Sequence, residues 1–172
     1  MKKILFAALL LLSLMVCVTS PVWAVVTGGL DDVKAGLAAG KEGDYDKAIR
    51  LFTKAIESGN LSQEDLSIVY YNRGLTWAKK GAYDKAISDF NKAIEIDPKF
   101  ANAYNNRGNA WRKKGDYDKA IADFTKAIEI NPNDADAYQF RGYCWKFIGN
   151  DDKANADYEK AKKLDPSIHC CH

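Results

Sequence analysis

Apolar and polar residues follow one another along most of this chain with the period of a helix, and the pattern is cut at regular intervals. Between residues 101 and 134, Tyr104, Arg107, Gly108 and Trp111 recur at i, i+3, i+4 and i+7, which draws one face of a helix. Gly115-Asp116 interrupts that face, and a second one follows in Ala120, Ile121, Phe124, Ala127 and Ile128 until Asn131-Pro132 stops it. The stretch therefore predicts two helices joined by a tight turn.

The same unit returns. Pro98, Pro132 and Pro166 recur at one fixed interval, 132 − 98 = 34, and so do Gly74, Gly108 and Gly142, and Trp77, Trp111 and Trp145. Ala86, Ala120 and Ala154, then Phe90, Phe124 and Tyr158, then Ala93, Ala127 and Ala161 continue the series. A fixed period means a repeat array in which each hairpin covers the apolar side of its neighbour. Within a hairpin, Gly108 and Ala120 are expected to let the helices approach while Trp111 and Phe124 fill the space beside them. Arg73, Arg107 and Arg141 are each followed at a constant offset, 89 − 73 = 16, by Asp89, Asp123 and Asp157, which predicts an ion pair between the two helices of each unit.

These residues and spacings resemble the tetratricopeptide repeat family. The resemblance is close over 67–100, 101–134 and 135–168 and looser over 29–62, where Gly36, Gly43, Tyr45, Ala48, Phe52 and Ala55 align but the closing proline is missing. In that first unit Ala35 and Leu51 stand where the arginine and aspartate would be. The step from Ala48 to Ala86 is 86 − 48 = 38 rather than 34, an excess placed at Gln63 to Leu66. Ser58 to Asp65 is accordingly expected to be a lengthened loop whose Ser62-Gln63-Glu64-Asp65 run caps the next helix. The array is expected to cap itself at the far end, because Ile49, Ile87 and Ile121 give way to Asn155, and Ile56, Ile94 and Ile128 to Lys162.

The resemblance implies an all-α, right-handed superhelical stack of antiparallel hairpins, a tetratricopeptide solenoid, with the first helix of each hairpin lining a concave groove. It further implies a non-catalytic scaffold that binds an extended peptide or helix of a partner protein in that groove. Mapped onto this chain, the groove positions are Ile68, Tyr71, Asn72, Leu75 and Lys79 in the second unit. They continue with Asn102, Asn105, Asn106, Asn109, Arg112 and Lys113 in the third, and Asp136, Gln139, Phe140, Tyr143, Lys146 and Phe147 in the fourth. They fall opposite the packing residues, so a stable fold is not expected to require amides or aromatics there. Asn72 and Asn106 match the asparagines with which some family members grip a peptide backbone, an amide being both donor and acceptor. Phe140 interrupts that ladder. Members that bind acidic C-terminal peptides add a lysine and arginine clamp, and the matching positions here hold Asn102, Asp136 and Phe140. A solvated polar face is the plainer reading of the asparagines.

The two ends change the picture of where the protein works. Lys2 and Lys3, the apolar run Ile4 to Val18 and the small-residue context Val22-Trp23-Ala24 have the layout of an export signal over 1–24, cleaved after Ala24. That leaves a repeat domain over 25–168, starting with a frayed Val25 to Gly29, in the periplasm or outside the cell. The competing reading takes Leu14-Met15-Val16-Cys17 as a lipidation site that would tether the chain through Cys17 as an assembly factor or spacer. The chain carries 25 basic and 23 acidic side chains. Loss of residues 1–24 removes two lysines and no acid, giving 25 − 2 = 23 against 23. A balanced charge argues against nucleic acid and against an anionic membrane surface as partners, so a membrane enters only through Cys17.

Candidate chemistry adds little. There is no phosphate-binding glycine loop, no nucleophile elbow and no histidine outside the tail, so neither a catalytic site nor a cofactor is expected. Acids at the hairpin turns such as Asp44 and Asp46 are explained by helix starts. Cys144, Cys170 and Cys171 form no disulfide framework. His169, Cys170, Cys171 and His172 offer four metal-ligating side chains, but consecutive residues surround one tetrahedral ion poorly. Metal or thiol handling by this 169–172 tail is the third reading of function.

Overall fold

The computed structural model describes the backbone of residues 22–168 and the side chains from residue 28. Eight helices follow one another: α1 (Val22–Lys41), α2 (Tyr45–Glu57), α3 (Gln63–Lys79), α4 (Tyr83–Ile96), α5 (Ala101–Lys114), α6 (Tyr117–Ile130), α7 (Ala135–Phe147) and α8 (Asp151–Leu164). There is no strand among the described residues. The export signal, save its last three residues, lies outside them, as do Cys17 and the His169–His172 tail. None of the described helices is long and apolar enough to cross a membrane.

Helix starts and stops are written locally. The side chains of Asp44, Ser62, Asp116, Asp134 and Asn150 each accept a hydrogen bond from the backbone N–H three residues on, satisfying a donor that the first turn leaves free. Inside each hairpin the chain reverses at a glycine in the left-handed region, for example Gly115 at φ 84°, which a side chain would strain. Two expectations fail. Only residues 58–62 separate α2 from α3; with Ser62 as cap, the additional residues Gln63 to Leu66 wind into the first turn of α3, making it longer, at 17 residues, than α5 at 14 or α7 at 13. Val25 to Gly29 is helical rather than frayed, and Gly29 is buried: a Cβ there would stand 2.9 Å from Ser58 Oγ, so α1 approaches the end of α2 closely.

Each hairpin closes on one contact. A Cβ added to Gly36, Gly74, Gly108 or Gly142 would fall 2.8 to 3.0 Å from the ring of Phe52, Phe90, Phe124 or Tyr158, so the glycine makes room for the aromatic ring of the second helix. Phe52, Phe90 and Phe124 are fully buried there, surrounded by alanines such as Ala48, Ala86 and Ala120 with no exposed surface. Trp111 and Trp145 pack against the buried core around Phe124, as expected. Trp77, Trp111 and Trp145 are half-buried lids, each covered by the ammonium of Lys85, Lys119 or Lys153 at 4.4, 4.4 and 4.3 Å from the ring centroid. Their surroundings repeat from unit to unit, as a register of identical hairpins requires.

Hairpins pack in sequence order, α2 against α3, α4 against α5 and α6 against α7. Alternate first helices also touch (α1 with α3, α3 with α5, α5 with α7), whereas no such contact joins α2, α4, α6 and α8. The stack is therefore curved, with the first helices on its inner wall. At the far end, Asn155 and Lys162 are exposed where Ile49, Ile87 and Ile121 are buried, so α8 presents a polar outer side.

Candidate functional site: the inner wall of the stack

The wall is held in place by a polar staple repeated three times. Arg73, Arg107 and Arg141, on α3, α5 and α7, each donate two hydrogen bonds to one carboxylate, Nε and Nη2 to Asp89, Asp123 and Asp157 at 2.6 to 2.8 Å. The three aspartates are buried. The remaining Nη1 reaches back to the preceding hairpin, to Thr53 at 2.9 Å, Asn91 at 2.6 Å and Thr125 at 3.1 Å. Each arginine thus joins three helices of two repeats. Burial works against the charge of Arg73, and its hydrogen bonds to Asp89 together with the electrostatic influence of Asp89, Tyr70 and Glu57 outweigh that effect and hold its pKa above the ordinary value. The arginine-to-aspartate pairing is legible from the sequence; the third contact is not, because threonine and asparagine alternate at that position.

Along the inner wall the expected residues appear in register but not in one role. Leu75, Asn109 and Tyr143 form one row, and Asn72, Asn106 and Phe140 another. Ile68, Asn102 and Asp136 are exposed near the helix starts; Lys79, Lys113 and Lys146 are exposed near the ends. Gln139 is half-buried. The Nδ2 of Asn72 donates to Ile68 O at 2.8 Å, and that of Asn106 donates to Asn102 O at 2.9 Å and to the Tyr71 hydroxyl at 3.1 Å. Arg112 donates to Asn109 Oδ1 at 3.1 and 3.2 Å, and its guanidinium lies 5.1 Å from the ring centroids of both Phe140 and Tyr143. Next to it, Tyr143 (44 % exposed) and Phe147 (61 % exposed) stack with centroids 6.3 Å apart, and Tyr117 lies 4.2 Å from Phe147.

Two of these residues do serve the fold, against the expectation from sequence. Tyr71 packs on Phe90 and Phe100 with centroids 5.9 and 4.7 Å away, and burial pushes its hydroxyl pKa up. Phe140 lies 6.0 Å from the buried Phe124 and packs against the core that includes Cys144. They sit where one repeat meets the next, and the helical wheel of a single hairpin does not reveal that seam. Burial pushes the Cys144 thiol up to about 12, so it stays protonated and apolar in character.

The wall holds two concavities. A smaller one of about 210 Å³ lies between α1 and α3 and includes Leu37, Tyr45, Leu75 and Lys79. A larger open hollow of about 530 Å³ lies between α5 and α7, lined by Asn102, Asn105, Asn106, Asn109, Asp136 and Phe140 from the helices and by Asn131, Asn133, Asp134 and Asp165 from the loops. The loop residues escape a reading of the sequence because they lie outside the helix faces that the repeat pattern defines. No three acidic, histidine or cysteine side chains among the described residues are grouped to hold a metal ion.

One tetratricopeptide repeat profile matches residues 67–100 and 101–134, and a second profile of the same repeat matches 33–58 and 135–168. The chain belongs to the tetratricopeptide repeat family. Its fold is similar to the crystal structure of MamA, at 26 % identity and a TM-score of 0.75, with 81 % of this chain and 80 % of that one covered. It is also similar to the second tetratricopeptide domain of Spaghetti (RPAP3) bound to the HSP90 peptide SRMEEVD, at 29 % identity and a TM-score of 0.58 over 59 % of this chain and 94 % of that one. YrrB, described as a tetratricopeptide protein with an unusual peptide-binding site, shares the fold at 23 % identity and a TM-score of 0.72, with 82 % of this chain and 71 % of that one covered. No curated protein matches the chain. Within this tetratricopeptide stack the inner wall differs from unit to unit while the buried contacts repeat, so the variation is concentrated on the side that faces the hollow.

Proposed function

We propose that the protein is a non-catalytic interaction scaffold that takes an extended segment of a partner protein along its inner wall, and that it works after export, in the periplasm or outside the cell. The observation that carries this reading is the composition of the wall between α5 and α7. A concavity of about 530 Å³ is lined by asparagine side chains of α5 and of the loop before α7 and has an arginine-aromatic cluster beside it, none of which closes a hairpin. Amides beside a channel suit a peptide backbone, which alternates donors and acceptors, and a half-exposed guanidinium stacked on tyrosine suits an acidic or aromatic anchor. The HSP90 peptide on the second RPAP3 domain supports a protein partner. The acidic C-terminal specificity of such domains is not carried over, because Asn102, Asp136 and Phe140 stand where a basic clamp would.

The test is a triple substitution of Asn106, Arg112 and Tyr143 by alanine in the full chain, followed by affinity capture of partners from the native host. Loss of the captured partners with unchanged circular dichroism is expected, and full retention would contradict the reading. Export is checked by mass spectrometry of the purified mature chain: a start at Val25 is expected, whereas an acylated Cys17 would replace free release with a membrane tether.

A further inference from the structure

The repeats act as each other's controls, and one seam between them departs from its neighbour. Between the second and third units, Tyr71 of α3 packs against Phe100 of the following loop, ring centroids 4.7 Å apart. One period later the same two positions are Asn105 and Asp134, joined by a hydrogen bond from Nδ2 to Oδ2 of 3.0 Å. The exchange removes two aromatic rings from the seam, and the 530 Å³ hollow lies there. The fold does not demand it, since an aromatic pair closes the equivalent seam one period earlier.

The groups bordering the hollow have a consistent bias. Asn106 spends both its N–H donors on Asn102 O and the Tyr71 hydroxyl and Asn105 spends one on Asp134, which leaves acceptors in excess among these amides. Asn105 Oδ1 is buried with no hydrogen-bond partner, so the exchange leaves an unsatisfied acceptor in the seam. Asp134, Asp136 and Asp165 line the same space and no lysine or arginine does. Asp134 is partly neutralised by the Ala137 N–H and Asn105, but Asp136 is exposed and pairs with no cation among the described residues. Acceptors and negative charge without a resident cation repel a carboxylate and attract a group that carries several N–H donors and a positive charge.

We infer that this hollow receives a basic side chain, lysine or arginine, from the segment bound on the inner wall. The inference rests on the scaffold reading above and adds the chemistry of the segment. The opposite edge of the same wall carries Lys79, Arg112 and Lys113, so the acid of the hollow at the start of α7 is set apart from the base at the helix ends.

The experiment selects decapeptides from a randomised display library on the full chain and compares their binding with that of two variants. In N105Y/D134F the seam takes the aromatic pair of its neighbour, whose packing is expected to offset the loss of the Asp134 cap; thermal melting should show a cooperative transition close to the parent's. In Asp136→Asn one exposed charge is lost without any change of packing. Selected peptides are expected to share a lysine or arginine, to lose binding on N105Y/D134F, and to bind Asp136→Asn up to about fivefold more weakly, the size of one exposed ion pair. Replacing the shared arginine by citrulline, which keeps the shape and removes the charge, should reproduce the loss. Peptides with no common cation that bind the parent and N105Y/D134F equally would overturn the inference and leave the scaffold reading standing. If the parent selects no peptide at all, the scaffold reading falls as well. If N105Y/D134F proves unfolded, the decision passes to Asp136→Asn and the citrulline peptide, and unchanged binding in both overturns the inference.

Discussion

The first hairpin and the three that follow it reach the same geometry by different means. In α3 to α8 an arginine on the first helix grips an aspartate on the second, whereas in α1 and α2 the matching positions are Ala35, exposed, and Leu51, which packs against the core of Ala48, Phe52 and Val69. Both pairings give a closed hairpin with a glycine against an aromatic ring. The staple is therefore not what makes a hairpin. Its third bond, from Nη1 to Thr53, Asn91 or Thr125, reaches the preceding repeat, and no hairpin precedes α1 among the described residues. The position after Thr125 in the series is Glu159, on α8, and no arginine reaches it among the described residues. The staple sets the register between neighbours, and it is present where a neighbour exists to be registered.

Substitutions can break this contrast or sharpen it. Asp123→Ala strands the Arg107 guanidinium in a mostly buried position, and the expected loss is about 3 kcal/mol in urea unfolding. Gly108→Val tests what all the hairpins share: a Cβ at this position already stands 3.0 Å from the Phe124 ring, so overpacking should cost about 2 kcal/mol. Transplanting the first unit's solution into the third, as R107A/D123L, removes both charges together and should cost only about 1 kcal/mol, less than Asp123→Ala alone. A double variant as unstable as the single one would refute the claim that hairpin closure and staple are separable. Lys119→Ala uncovers the Trp111 ring and should cost about 0.5 kcal/mol, with a shift of tryptophan emission towards longer wavelength.

The helices, their order and the arginine-to-aspartate pairs are legible in the sequence because each depends on spacing within one unit. Glycine against ring, asparagine or aspartate at a cap and isoleucine giving way to Asn155 all repeat or fail at a fixed interval. What depends on two units at once is harder to read. The additional residues Gln63 to Leu66 extend α3 instead of a loop, because Ser62 caps as soon as its hydroxyl can accept from Asp65 N. Tyr71 and Phe140 belong to seams, and so does the hollow formed when Asn105 and Asp134 replace an aromatic pair. A helical wheel places those residues on a solvent face and cannot show which of them meet the next repeat.

The inner wall is the side expected to meet another protein. A photo-reactive benzoylphenylalanine placed in turn at Leu75 and Asn109 on the wall, and at Ser88 and Ala122, exposed on the second helices, tests this in living cells. The account predicts adducts of one defined mass from Leu75 and Asn109 and none from Ser88 and Ala122. Adducts confined to Ser88 and Ala122 would contradict it.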